Sequence, residues 1–212
     1  MAYGFVYNLS MSSTDETVAT YDRSAKEIAA YFKSIGPRTK DIELGLRLSK
    51  VDGAQARVVE IGCGDGRDAA EIIKRVAWYE GFDPSKGLLE IARAGVTGGN
   101  FVLANALDYA YPSNIDVVFA FASLLHLSQG DFTTACADVA RALRPGGIFL
   151  ISLKERPSYE KLVKHDKYGV RTFYFYNADL VAQMCGANFE SAFIHHEVMD
   201  GTDWFTMALR RR

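Results

Sequence analysis

A strand-like run, Arg57-Val58-Val59-Glu60-Ile61, breaks directly into Gly62-Cys63-Gly64-Asp65-Gly66 and then into a helical pattern over residues 67–76. Three glycines in five residues after a strand imply a tight loop built from backbone conformations that other residues avoid. Such a loop delivers a helix N-terminus to the carboxyl end of the strand. The same rhythm continues along the chain. Short apolar runs predict strands at 77–82, 100–103, 116–121, 147–153, around 189–195 and at 203–209. Helical patterns lie between them at 85–94, 131–143 and 178–185, the second of these closed by Arg144-Pro145-Gly146-Gly147. Parallel strands need crossover connections, so the alternation predicts an α/β domain: a mostly parallel sheet with helices on both faces. Ligands of such sheets bind beyond the carboxyl ends of the strands, where strand order reverses, and the glycine loop sits at that edge.

Upstream, Ser13-Thr14-Asp15-Glu16 offers a capping-box start. Tyr21, Ala25, Ile28, Ala29 and Phe32 then share one face of a helix ending near Gly36-Pro37, and a second helix covers 41–48. With 212 residues, 49% of them apolar, the chain has material for one sizeable core and is read as one domain. Its parts are an N-terminal helical cap (1–50), a ligand-binding core (51–153), an acceptor lid (154–176), and a C-terminal helix and hairpin (177–212). A net charge of −2 gives no bulk attraction to nucleic acid or anionic lipid; the terminal Arg210-Arg211-Arg212 reads as a solvated end. Three cysteines, Cys63, Cys136 and Cys185, lack metal-ligand spacing and fit a reducing, cytoplasmic setting. No run approaches the roughly 18 apolar residues of a membrane span, and no secretory pattern opens the chain, so neither secretion nor membrane insertion is expected.

The glycine loop alone fits several nucleotide-binding folds. Glu60, two residues before Gly62, would oppose a dinucleotide's diphosphate at the helix N-terminus. It suits a cationic ligand without phosphate, such as the sulfonium S-adenosylmethionine, whose methionine portion the backbone of Gly62 and Gly64 could line. Glu60 either shapes the loop through local backbone N–H groups or contacts the ligand; Asp65 reads as a helix cap. About 20 residues past the loop, Asp83 ends the second strand, where a carboxylate can accept both ribose hydroxyls; the alternative is a turn residue before Pro84-Ser85.

Val58-Val59-Glu60-Ile61-Gly62-Cys63-Gly64-Asp65-Gly66 resembles the first motif of class I S-adenosylmethionine-dependent methyltransferases, and Phe82-Asp83-Pro84-Ser85 with Leu88-Leu89-Glu90-Ile91-Ala92-Arg93 resembles the second. Ile115-Asp116-Val117-Val118-Phe119 through Leu124-Leu125-His126-Leu127, and Arg141-Ala142-Leu143-Arg144-Pro145-Gly146-Gly147, are similar to the fourth- and fifth-strand segments. The resemblance implies a Rossmann-like, seven-stranded sheet of order 3-2-1-4-5-7-6 with strand seven antiparallel, and S-adenosyl-L-methionine across the loops of strands one to three. The chain departs from the family at Ala104-Asn105-Ala106, where many relatives place an acid against adenine; Asn105 retains an amide oxygen that can accept. Tyr21 resembles the pre-core residue that folds over the methionine end, with helix packing as the alternative. The residues assigned to the cofactor are thus Tyr21, Glu60, Gly62, Cys63, Gly64, Asp83, Pro84, Asn105, Ala106 and Phe121.

Methyl transfer from a sulfonium needs positioning more than a base. For a hydroxyl acceptor, His126 is the best-placed general base, with packing between leucines as the competing role. Of His195 and His196, one should face the core and one solvent. No metal site is expected. Phe119-Ala120-Phe121-Ala122 lacks the motif of enzymes that methylate base amino groups, so a small-molecule acceptor is expected, with no nucleic acid and no membrane as partner. Residues 154–176, rich in aromatic and basic side chains, are expected to overhang that acceptor, so that Tyr168, Arg171 and Tyr174 would serve acceptor turnover and not cofactor affinity. The competing readings are a protein that binds S-adenosylmethionine or S-adenosylhomocysteine without turnover and a dinucleotide-dependent oxidoreductase, the latter disfavoured by Glu60.

Overall fold

The computed structural model describes residues 13–212, with side chains from Thr14 onward. Readings that concern residues 1–12, and the capping role of the Ser13 side chain, lie outside the described residues.

Three helices come first: α1 (Ser13–Arg23), α2 (Ala25–Ile35) and α3 (Thr39–Ser49). The core follows as β1 (Arg57–Ile61), α4 (Ala69–Ile72), β2 (Trp78–Asp83), α5 (Lys86–Gly95), β3 (Asn100–Leu103), β4 (Ile115–Phe121), α6 (Gln129–Ala142) and β5 (Leu143–Lys154). A hairpin of β6 (Glu160–Asp166) and β7 (Gly169–Phe175) leads to α7 (Ala178–Cys185), β8 (Phe189–Met199) and β9 (Thr202–Arg211). Seven strands form one sheet in the order β3-β2-β1-β4-β5-β9-β8, and β6 pairs with β7 apart from it. The pairs β1–β2, β1–β4, β2–β3 and β4–β5 are parallel, while β9 runs antiparallel to both β5 and β8. This is the order expected from the resemblance, with β9 and β8 in the places of strands seven and six.

Both sheet faces are covered, which is why β4 reads Ile-Asp-Val-Val-Phe-Ala-Phe with every residue buried. The two-residue period sends Val59, Ile61 and Val118 into a core with Phe132, Val139 and Val181 of α6 and α7. Val58, Val117 and Phe119 go to the opposite core, with Ile42 of α3, Ile72 and Leu89. Tyr176, fully buried just after β7, donates from its hydroxyl to the Leu127 carbonyl at 2.6 Å and so ties the hairpin to the loop after β4. Tyr176→Phe should lower stability by about 1 kcal/mol, because the buried carbonyl loses its partner; a urea midpoint unchanged at constant slope would contradict this.

Four expectations change. The single N-terminal helix is two, parted at Ser24, whose hydroxyl bonds the Tyr168 carbonyl at 2.8 Å; α1 docks on β7 while α2 docks on α5. The helix expected over 67–76 shrinks to α4 and a 3₁₀ turn, because the Asp68 carboxylate, instead of capping, accepts from the Arg38 N–H at 2.7 Å and from Arg67. Arg144-Pro145-Gly146-Gly147 lies inside β5 as an irregularity against β4, with no loop between α6 and the strand. His195 and His196 both stand exposed, since β8 is the sheet's edge and is open on both faces; His196 pairs with Glu155 at 2.7 Å. Among the described residues no helix is long and apolar enough to cross a membrane.

Candidate functional site

Strand order reverses between β1 and β4, and the loops leaving these two strands meet there. Gly62, Gly64 and Gly66 all adopt left-handed backbone, with φ of 71°, 54° and 81°. The turn at Gly62 lets its own N–H and that of Cys63 both donate to the Phe82 carbonyl at 2.8 and 3.1 Å, which locks the loop to the end of β2. Asp83 completes the joint: Oδ2 accepts from the Gly64 N–H at 2.9 Å and Oδ1 from the Ser85 N–H at 2.8 Å. Each carboxylate oxygen keeps one further lone pair. Burial pushes the Asp83 carboxyl up to about 6, so it is an anion at neutral pH.

These loops floor a cavity of about 1000 Å³, open to solvent, whose walls run from α1 and α2 to the 3₁₀ turn after β4. A side chain at Gly64 would have only Phe32 and Leu88 within reach, at 3.9 and 4.0 Å, so the space over that backbone is open. Opposite, the buried Ser123 hydroxyl has no hydrogen-bond partner among the described residues.

A diphosphate does not suit these walls. Asp65 and Asp83 are acidic, and the one arginine on them, Arg67, is bonded to Asp68 at 2.5 Å. A ligand with a ribose diol, a cationic centre and no phosphate suits them: Asp83 has two free lone pairs for the diol, and the Ser123 hydroxyl is unspent. S-adenosylmethionine is such a ligand.

The comparisons with known proteins agree. Residues 58–147 match the family model for the methyltransferase domain. Over these residues the chain is similar to a methyltransferase domain. Fatty-acid O-methyltransferase of Mycolicibacterium smegmatis is 35% identical over 117 residues, 53% of this chain and 42% of that protein. Trans-aconitate 2-methyltransferase of Acidovorax ebreus is 31% identical over 140 residues, 62% of this chain and 52% of that one. The chain spans about half the length of the curated relatives it matches. The fold extends further: N-methyltransferase NodS from Bradyrhizobium japonicum, solved in complex with S-adenosyl-L-homocysteine, superposes with a TM-score of 0.70 at 15% identity, over 93% of this chain and 99% of that one.

Tyr21, Gly62, Cys63, Gly64, Asp83, Pro84, Asn105, Ala106, Phe121 and His126 all line the cavity. Glu60 does not. It shares a sheet face with Val58, away from the cavity, and takes a hydrogen bond from the Tyr79 hydroxyl at 2.6 Å in place of any local backbone N–H. Burial, and next the charge of Asp68, push its carboxyl up to about 8, so it is largely protonated at neutral pH and the acidity of the site comes from Asp83 and Asp65. Asn105 is on the wall, but its amide oxygen already accepts from the Leu107 and Asp108 N–H groups at 2.8 and 3.1 Å, and its amide nitrogen reaches Asp108. An asparagine opening a turn satisfies its own backbone first, so the oxygen expected to meet adenine is spent. The Cys63 thiol, held well above its ordinary value by burial, is an inert wall group.

His126 sits in a fixed frame. Its Nδ1 is 2.6 Å from the Thr172 carbonyl, which can only accept, so Nδ1 carries the proton and Nε2 is the bare nitrogen. The Tyr21 hydroxyl lies 2.9 Å from Nε2 and donates to it. Burial holds the imidazole down at about 4, hence neutral. As a base, His126 meets an acceptor through the Tyr21 hydroxyl or after that hydroxyl moves aside.

Residues 154–176 do not form the cavity wall. They hold α1 in place from behind: Thr20 Oγ1 donates to the Val170 carbonyl at 2.7 Å, and Thr17 Oγ1 accepts from the Thr172 N–H at 2.9 Å. The wall over the cavity comes instead from Thr14, Thr17 and Val18 of α1 and Phe32 of α2, which sequence reasoning missed. The available signal was the Thr17-Val18-Tyr21 spacing, a second face of α1 beside the one used for packing.

Proposed function

We propose that this chain catalyses S-adenosylmethionine-dependent methyl transfer to a small-molecule acceptor. The observation that carries the reading is Asp83, a buried carboxylate that two loop N–H groups orient while each oxygen keeps a lone pair for a ribose hydroxyl. When bound, S-adenosylmethionine supplies an electrophilic methyl carbon, to which the acceptor's lone pair bonds as the carbon–sulfur bond breaks with its electrons staying on sulfur. The chain's own contribution is positioning: the Gly62–Gly66 loop and Asp83 hold one end of the ligand, and Tyr21 with the α1 wall excludes water from the other. The two relatives are named for a fatty acid and for trans-aconitate, which supports a small-molecule acceptor.

Titration calorimetry should show S-adenosylhomocysteine binding in the micromolar range, roughly −8 kcal/mol, with no heat from NAD. Labelled methyl transfer into a metabolite extract, followed by mass identification, should then yield a methylated product. Affinity for NAD and for neither sulfur ligand would overturn the assignment, and binding without any transfer would leave a non-catalytic binding protein.

A further inference from the structure

The Tyr21 and His126 rings both line the cavity and meet edge to face, their centres 5.4 Å apart. The direction of every hydrogen bond in this pair is set from one end. The Thr172 carbonyl can only accept, so at 2.6 Å it fixes the proton of the neutral imidazole on Nδ1, and Nε2 must accept from the Tyr21 hydroxyl at 2.9 Å. Tyr21 thereby spends its single hydrogen on His126. Toward a ligand its oxygen has lone pairs and nothing to donate. Arg171, 5.6 Å from the Tyr21 ring centre, can engage one of them from outside the cavity, which leaves the other. The tyrosine that closes the cavity is therefore a hydrogen-bond acceptor, and it suits a nucleophile that carries N–H or O–H.

The charges of the wall narrow the choice. Among the described residues that line the cavity, the charged ones are Asp65, Arg67, Asp68 and Asp83. Arg67 is held by Asp68 through Nε at 3.1 Å and Nη2 at 2.5 Å, which leaves an excess of acid. Residues 1–12 contain no lysine, arginine or histidine. A carboxylate nucleophile would thus face acids and the lone pair of Tyr21, with no free cation to offset its desolvation. An alcohol is neutral but must lose its proton in the transfer. The imidazole that would take it has its bare nitrogen capped, and burial, then the charges of Arg171 and Lys154, oppose an imidazolium. An aliphatic amine arrives as an ammonium with no lone pair to give. A weakly basic nitrogen meets every condition: neutral at pH 7, it keeps its lone pair for the methyl carbon and directs its N–H at Tyr21. Val18, Phe32, Leu124 and Leu127 supply an apolar wall for the rest of the molecule.

We propose that the Tyr21 hydroxyl oxygen is the specificity-determining contact for the methyl acceptor, and that the acceptor is a neutral, weakly basic N–H nucleophile such as an aromatic amine. The proposal rests on the methyl-transfer reading and departs from the acids for which the two curated relatives are named. In the transfer the nitrogen lone pair bonds the methyl carbon, the carbon–sulfur electrons stay on sulfur, and the cationic product gives its extra proton to water after release. The polarity of the pair is tested first: nitrogen NMR of the free chain at pH 7 should show His126 as the Nδ1–H tautomer, and an Nε2–H tautomer would overturn the proposal. With S-adenosylhomocysteine present, NMR titration should then rank aniline above N,N-dimethylaniline, which has no N–H, by about fivefold, the worth of one neutral hydrogen bond. Benzoate should bind more weakly than aniline by about tenfold or more. Tyr21→Phe should erase the difference between the two anilines. Equal weakening of all three probes by that substitution would make the hydroxyl structural, and benzoate bound as tightly as aniline would show a cation at work; either result refutes the proposal. Label transferred from S-adenosylmethionine into a metabolite extract should withstand mild alkali and follow basic compounds into strong acid. Label released as methanol marks an ester, and alkali-stable label in neutral compounds marks a nucleophile other than an amine, each against the proposal. No transfer at all would sink the methyl-transfer reading instead, while the tautomer and the ranking of the three probes would still decide what Tyr21 recognises.

Discussion

Asp83→Ala should weaken S-adenosylhomocysteine binding by roughly 2 kcal/mol, about thirtyfold, as the loss of charge-assisted hydrogen bonds to a ribose predicts. The structure adds a second reason. The same carboxylate holds the Gly64 and Ser85 N–H groups, so its removal frees two buried donors and unpins the loop that the ligand rests on. Asp83→Asn is not conservative here, because its amide nitrogen must turn a donor toward one of those N–H groups. Acidity gives an orthogonal check. Burial raises the Asp83 carboxyl from the ordinary carboxylate range to about 6, so over that interval the folded chain holds a proton that the unfolded chain has lost. Stability therefore falls as pH rises through the window, and Glu60, raised to about 8, extends the fall upward. Ligand affinity should run the other way, weakening as pH drops through about 6, since the protonated carboxyl offers the ribose a poorer acceptor. Calorimetry and urea denaturation at pH 5 and 7.5 would show the two trends crossing. Affinity independent of pH in the wild type, or retained by Asp83→Ala, would remove Asp83 from the site.

What could be read beforehand was whatever local physics decides. The bounds of β1, β3 and α7 follow from short apolar runs between turn residues, or from an N-cap such as Asn177, which accepts from the Leu180 N–H at 2.8 Å. The glycine loop and Asp83 were legible because few other residues satisfy a left-handed turn beside a strand end. What escaped depends on partners far along the chain. The break at Ser24 answers to Tyr168, the orientation of His126 to Thr172, and the neutral state of Glu60 to burial and the charge of Asp68. Residues 154–176 carried a turn signal in Asp166-Lys167-Tyr168-Gly169, with Gly169 at φ 129°, yet nothing local says that a hairpin there will prop a helix from behind. Asn105 shows the converse: its chemistry permits an adenine contact, and its own backbone takes the oxygen first.

Gly62→Ala should be the most damaging single methyl that can be added to this site, lowering stability by about 3 kcal/mol and abolishing measurable cofactor binding. Two effects add. At φ 71° an alanine is strained by about 1 kcal/mol wherever it sits. Here its Cβ would also come within 2.3 Å of Ser123 Cβ and 3.1 Å of Ser123 Oγ. Relief by rotation is closed, because the clash is with a Cβ and not with the far end of a flexible side chain. Sliding the loops apart is opposed by the parallel register of β1 on β4, Glu60 against Phe119, and by the bonds from Gly62 and Cys63 to Phe82. Gly64→Ala is the internal control. It has a comparable backbone strain, with φ 54°, but open space around its Cβ, so it should cost about 1 kcal/mol of stability while still obstructing the ligand. The two contributions at Gly62 separate in a double-mutant cycle with Ser123→Gly, which removes the atom struck: the pair should recover the steric part and leave only the backbone strain. Urea denaturation of the four proteins measures this. Strictly additive effects would mean that the β1 and β4 loops do not touch, and that the cavity they floor is not the one described.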